Sequence, residues 1–382
     1  MHVSPALRET GTYPFVKLDE AKRRLQSTGV ELIDLGKGDP REPTDPRIRQ
    51  ALVDNLTPIS SYPLAAGLPE LRAAVARWCE RRFGVTLDPD TEIVPTYGSK
   101  EAIFQLAQVI VDRDSEKRLV VTTEPGYPVP DRGAVFAGAD VVQLPLLEEN
   151  RFLPDLDAVD AETWARAAIV WINYPNNPTG AVAPLDFLAR LAELSREHDF
   201  LVASDEAYTE LWFDEPPPSA LEVRALGNVC VFNSLSKRSS MTGYRSGFVA
   251  GDEPLISALK QFRPTAGTAP QEFVQRASVV AWDDEEHVER TRQAYRRKRE
   301  VLVSALERKG IRVAGGAATM YLWLEAPSGE SSEELAARLL EHGLVVSPGS
   351  FFGSAGEGYW RIALVATEAE CRRAAAILAR VL

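Results

Sequence analysis

From Leu119 to Tyr208 short apolar runs alternate with helical stretches, and this alternation constrains the fold more than any other feature of the 382-residue chain. Leu119-Val120-Val121-Thr122, Val141-Val142-Gln143-Leu144, Ala168-Ile169-Val170-Trp171-Ile172 and Phe200-Leu201-Val202-Ala203 read as strands. Between them lie helical patterns, one running through Val135 and another over 184–198. Strands alternating with helices of this length predict a largely parallel sheet with helices on both faces. Open sheets of that kind place ligands at the carboxyl ends of their strands. Asp205 follows such a run, and a carboxylate buried there is costly without a cation. Two readings fit it: a helix cap, or the partner of a protonated ring nitrogen.

Residues 230–251 hold the densest chemistry. Cys230-Val231-Phe232 and Phe248-Val249-Ala250 read as two more buried strands. The loop between them carries Ser234, Ser236, Lys237, Arg238, Ser239, Ser240, Thr242 and Arg245. Burial and the neighbouring Arg238 and Arg245 should disfavour the ammonium form of Lys237. A Schiff-base lysine needs that, since only the neutral amine attacks a carbonyl. The hydroxyls and Arg245 can hold an anion, with phosphate the obvious candidate. Alone, the stretch also suits a solvated basic turn.

Elsewhere the signals are weaker one by one. Helices are expected over 14–29, 46–55 and 69–83, and Leu32-Ile33-Asp34-Leu35 reads as a short strand entering the bend Gly36-Lys37-Gly38-Asp39-Pro40. Glycines at such a bend allow a ligand close to the backbone, or serve an ordinary turn. Tyr62 sits in a loop, where it either packs or offers its phenol to an anion. Ile93-Val94-Pro95-Thr96-Tyr97 leads through Gly98-Ser99-Lys100 into a helix, whose free N–H groups make a common form of anion site. After a helix over 254–262, Arg263-Pro264 is expected to break the chain, and 271–309 reads as one long charged connecting helix. Shorter strands and helices follow to the C-terminus. The expected division is a large domain over 46–275 and a small one from 1–45 and 276–382.

A net charge of −12 argues against a nucleic-acid surface, although local arginines can still hold an anionic ligand. Cys79, Cys230 and Cys371 form neither a metal pattern nor a disulfide framework, and no apolar run is long enough to span a membrane. A cytoplasmic location is expected.

Taken together, these segments resemble the class I/II aminotransferases among the fold-type I pyridoxal-phosphate enzymes, from Gly36 to Arg361. The combination and order of the motifs carry the likeness. The resemblance implies pyridoxal 5′-phosphate as cofactor, no metal, and Lys237 as the lysine that forms a Schiff base with it. It implies Ser99 and Lys100 as phosphate ligands through backbone groups, and Ser234 and Arg245 through side chains. Tyr62 matches a tyrosine that reaches the phosphate of a neighbouring subunit, so a homodimer with shared sites is expected. Tyr127 matches the aromatic that stacks on the ring, and Asp205 the partner of its nitrogen. Asn177 and Tyr208 match the hydrogen-bond donors to the ring oxygen. Arg361 matches the arginine that binds the substrate α-carboxylate, and Gly38 the glycine close to it.

A finer similarity, in 36–44 and 233–239, is to N-succinyldiaminopimelate aminotransferases of lysine biosynthesis. It implies amino transfer between N-succinyl-LL-diaminopimelate and 2-oxoglutarate, with Lys37 and Arg263 as candidates for the distal carboxylate, or else as solvent-exposed loop cations. The same machinery also fits aspartate, an aromatic amino acid or unsuccinylated diaminopimelate, and less well C–S lysis or a non-enzymatic cofactor-binding regulator.

Overall fold

The computed structural model describes every residue except 1, 12–14, 28 and 60. Strand β1 (Ile33–Asp34) is short and stands apart from the main sheet. The central sheet has seven strands: β2 (Ile93–Thr96), β3 (Leu119–Glu124), β4 (Asp140–Pro145), β5 (Ala167–Asn173), β6 (Leu201–Asp205), β7 (Val229–Ser234) and β8 (Gly247–Gly251). Their spatial order is β2-β8-β7-β6-β5-β3-β4. All neighbours pair in parallel except β8, which runs antiparallel to both β2 and β7. This is the expected α/β architecture of the fold-type I transferases. Because helices cover both faces, β5 and β7 are buried at every residue, which explains their unbroken apolar runs. One core, with Trp78, Phe248 and Trp282, fills one side of the sheet; another, with Ile103, Leu106 and Trp171, fills the other.

The sheet register sets up the site. Asn173 pairs with Asp205 across β5 and β6, while Ser234 ends β7 next to them. Three polar side chains thus share one edge of three adjacent parallel strands, where the crevice of an open α/β sheet lies.

The C-terminal part forms a second layer from β9 (Val313–Gly315), β10 (Tyr321–Glu325), β11 (Leu344–Val345), β12 (Ser347–Pro348) and β13 (Tyr359–Ala363). Four of them make an antiparallel sheet in the order β12-β13-β10-β9, and β11 pairs in parallel with β1. Strand β1 therefore packs against the C-terminal part, whereas the helix Pro5–Glu9 touches the helix Val129–Ala137 of the central-sheet layer, and Arg132 donates to Thr10 O at 2.8 Å.

Three boundaries differ from the sequence expectation. The helix expected over 14–29 spans Phe15–Gln26, preceded by a short helix Pro5–Glu9, and the expected Pro14 start lies outside the described residues. The helix expected to stop before Arg263 runs over Glu253–Thr265, because Arg263 is drawn into the core and holds the last turn in place. The long charged helix is two, Glu272–Asp283 and Glu286–Glu307. In the first, Ala277, Ala281 and Trp282 share the core of Trp78 and Phe248, and the position 275/276 falls within this helix. In the second, Tyr295, Leu302 and Leu306 join the core of the C-terminal part. The joint falls at Asp284–Glu285; the surface charges had hidden the apolar stripe that assigns each helix.

Candidate active site

Lys237 lies in a single helical turn, Leu235–Arg238, entered from the end of β7 and capped by Ser234. Ser234 Oγ accepts from the Ser236 N–H at 3.1 Å and donates to Ser246 O at 3.1 Å, which fixes the turn against the start of β8. The amine of Lys237 points into a cleft of about 420 Å³ and donates to Gly38 O. Burial is the main influence lowering its pKa to about 8; Arg361 and Arg245 add to this and Asp39 opposes it. Arg238 does not act on Lys237 as the sequence suggested. It is buried, lies 5.1 Å from the Trp282 ring, and bonds Ala281 O and Glu285, so it braces the joint between the two helices.

The cleft gathers Lys37, Gly38, Ser99, Lys100, Tyr127, Asn177, Asp205, Tyr208, Ser234, Lys237, Arg245 and Arg361 from segments spread over three hundred positions. The carboxyl group of Asp205 accepts from the Ala207 N–H at 3.2 Å and forms no ion pair among the described residues, while its carbonyl accepts from Asn173 Nδ2 at 2.8 Å. Burial raises its carboxyl to about pKa 7. Such a group gains most from a cationic N–H donor delivered by a ligand.

At the other end of the cleft, Arg245 takes a left-handed conformation, φ 57°. Its guanidinium donates to Thr242 O at 3.0 Å and Tyr97 O at 2.9 Å. It lies over Gly98, the first residue of the helix Gly98–Ile110, where a Cβ would come within 2.7 Å of it. Only glycine lets the helix start approach the guanidinium so closely. The N–H groups of that first turn, Ser234, Ser236 and Arg245 stand together at this end of the cleft, an arrangement chemically suited to an anion such as a phosphate. Lys100 lies 6.0 Å from the Tyr127 ring, and burial with Arg245 and Arg132 lowers its pKa.

Arg361 enters from β13. Its guanidinium donates to Asn177 Oδ1 at 2.7 Å and Gly36 O at 2.6 Å, and sits 4.1 Å from the Tyr321 ring and 4.5 Å from that of Phe352. Aromatic walls and two fixed acceptors hold the planar fork ready for a carboxylate. Tyr208 Oη shares a 2.8 Å hydrogen bond with Tyr321 Oη, and burial raises its pKa.

Two expected residues are elsewhere. Arg263 is fully buried outside the cleft, bonding Glu101 at 2.7 Å and Pro95 O at 3.1 Å, so it cannot meet a distal carboxylate. The loop position suggested an exposed cation; a helix that continues through Pro264 turned it inward. Tyr62 is fully exposed and does not line this cleft. Conversely, Tyr321, Asn173 and Phe352 line the cleft without having been singled out. Tyr321 is hidden in the apolar run Met320-Tyr321-Leu322, which reads as core, while Asn173 carried a usable signal as the polar end of a strand. A Cβ on Gly38 would lie 1.9 Å from Tyr321 Oη, so that glycine is required by the tyrosine.

These features fit one group: a lysine with a depressed pKa, a buried carboxyl suited to a pyridinium, and a phosphate cradle. Fold and cleft together define a pyridoxal-phosphate-dependent aminotransferase. The family model described as aminotransferase class I and II matches residues 30–378, and the chain belongs to that family. It is 39% identical over 375 residues to the LL-diaminopimelate aminotransferase of Nitratidesulfovibrio vulgaris (strain DP4), covering 96% of each chain. The enzyme of that name from Aquifex aeolicus is 40% identical over 367 residues, with 94% of each chain covered. Among solved structures, an aminotransferase from Neisseria meningitidis superposes with a TM-score of 0.92 at 37% identity over the full length of both chains. A probable N-succinyldiaminopimelate aminotransferase from Thermus thermophilus gives 0.89 at 33% identity, covering 97% of this chain and 100% of that one. No helix among the described residues is long and apolar enough to cross a membrane.

Proposed function

We propose that the enzyme moves an amino group between LL-diaminopimelate and 2-oxoglutarate. The supporting observation is that curated relatives alike over nearly the whole chain are named LL-diaminopimelate aminotransferase. This shifts the preference from the succinylated substrate that the sequence suggested. The Thermus neighbour keeps N-succinyl-LL-diaminopimelate as the second reading.

Bound pyridoxal phosphate supplies an aldehyde that receives the amino group and a ring that takes up electrons from the substrate α-carbon. Asp205 holds the proton on the ring nitrogen, since the buried carboxyl and the pyridinium offset each other's desolvation. Arg245, Ser234 and the N–H groups of Ser99 and Lys100 grip the phosphate, and Tyr127 covers the ring. Asn177 and Tyr208 donate to the ring oxygen. Arg361 takes the substrate α-carboxylate beside Gly38, fixing which bond at the α-carbon faces the ring. Lys237, whose amine points into the cleft beside Gly38, would be the group that accepts and returns the proton of the substrate α-carbon. Tyr62, exposed in one chain, reaches the phosphate of a second copy in a homodimer.

Single-turnover rates with LL-diaminopimelate, its N-succinyl derivative, aspartate and aromatic amino acids test the substrate. LL-diaminopimelate should give the highest kcat/KM; a preference for the succinylated donor would overturn the first reading in favour of the second. Sedimentation should show a dimer, and an active monomer would remove the role of Tyr62.

A further inference from the structure

Two opposite charges stand in the cleft without a part in the chemistry above. Lys37 Nζ lies 2.5 Å from Asp19 Oδ2, with 42% and 35% of the side chains exposed. Both residues line the cleft that holds Lys237 and Arg361. The backbone of Lys37 is pinned on either side: Gly36 O accepts from Arg361, and Gly38 O accepts from Lys237. Its main chain therefore runs between the carboxylate clamp and the reacting amine, while its flexible stem carries the ammonium outward to the helix Phe15–Gln26. Asp19 comes from that helix, which the pair of Lys22 with Asp34 ties to β1.

An ion pair this exposed adds little to stability. It is also easily divided by a ligand that presents one charge to each member. Arg361, Lys37 and Asp19 line the same cleft, so a substrate held by its α-carboxylate at Arg361 has this pair within the cleft for its other end. Resting on the LL-diaminopimelate reading, we propose that Asp19 and Lys37 form a subsite for a distal amino-acid head, Lys37 binding its carboxylate and Asp19 its ammonium. An acylated distal nitrogen carries no charge, so Asp19 loses the charge-assisted contact and faces the added succinyl carboxylate with like charge. The pair thus selects for a free distal amine. A shorter dicarboxylate such as 2-oxoglutarate has only Lys37 to use.

The test compares kcat/KM for LL-diaminopimelate and N-succinyl-LL-diaminopimelate in wild-type, Asp19→Asn and Lys37→Met holoenzymes. Asp19→Asn should lower the value for LL-diaminopimelate by about tenfold or more, the worth of one charge-assisted hydrogen bond. It should leave the succinylated donor unchanged or improved. Lys37→Met should lower both. Unaltered visible absorbance of the bound cofactor checks that the variants retain the cleft. If wild type turns over LL-diaminopimelate but Asp19→Asn leaves the ratio of the two donors unchanged, the subsite is overturned and the reaction assignment stands. If wild type fails to use LL-diaminopimelate, both fall together.

Discussion

Asp205→Asn should act with opposite sign on the cofactor-free and the loaded protein. In the cofactor-free chain the carboxyl is buried, accepts a single N–H and forms no ion pair among the described residues, and its pKa is raised to about 7 from 3.8. The folded state then favours the protonated form more than the unfolded state does. The resulting cost is absent below about pH 4, grows as pH rises between the two values, and is complete above about pH 7. At 1.36 kcal/mol for each pKa unit, it reaches on the order of 4 kcal/mol. Asparagine keeps the shape and can still accept from Ala207, but carries no charge. Thermal unfolding of cofactor-free protein should therefore show the variant more stable than wild type at pH 9, with the gap narrowing toward pH 5. In the loaded enzyme the same change removes the anion proposed to face the pyridinium. Breaking a buried ion pair costs roughly 3–5 kcal/mol, equivalent to about two to four decades in kcat. A variant less stable than wild type at pH 9, or one with kcat within about threefold of wild type, would refute the placement of this carboxylate.

Other outcomes follow from named contacts. Arg361→Lys keeps a charge but loses the fork braced by Asn177 and Gly36, so kcat/KM should fall by about tenfold to a hundredfold, the worth of one charged hydrogen bond; unchanged steady-state kinetics would count against it. Arg263→Met should lower thermal stability, leaving Glu101 without its buried partner at a cost of about 3–5 kcal/mol, while KM for both dicarboxylates stays within about twofold. A raised KM with unchanged stability would reverse that assignment. The rate of cofactor binding to the cofactor-free protein should rise with pH through about 8, because the Lys237 amine must be neutral to attack. Stopped-flow rates that stay flat between about pH 7 and 9 would contradict the lowered pKa.

Much of this could be read from the chain because the decisive residues occupy positions with local signatures. Asp205 and Ser234 each close a strand one polar residue after an apolar run, Leu201-Val202-Ala203 and Val229-Cys230-Val231-Phe232, and strands buried on both faces leave such runs. The Lys237 loop stands out through its hydroxyls and cations between two such strands. What the sequence hid is orientation. Arg263 and Tyr321 have the wrong surroundings in one dimension: the arginine sits beside a proline and glycine yet points into the core, and the tyrosine sits among core residues yet points into the cleft. Trp282 and Ala281 lie in a tract whose charges suggested solvent, although their stripe packs on Trp78 and Phe248. The Asp19–Lys37 contact joins residues eighteen positions apart, and no local pattern marks it.

The central claim is that Lys237 is the residue that binds pyridoxal phosphate covalently. Borohydride reduction of the purified holoenzyme, followed by peptide mass spectrometry, locates the attachment directly. The predicted result is one phosphopyridoxyl group per chain, on Lys237, and its disappearance in Lys237→Ala. Label on Lys100, Lys37 or any other lysine of the wild type, or no label on a protein loaded with the cofactor, would contradict it.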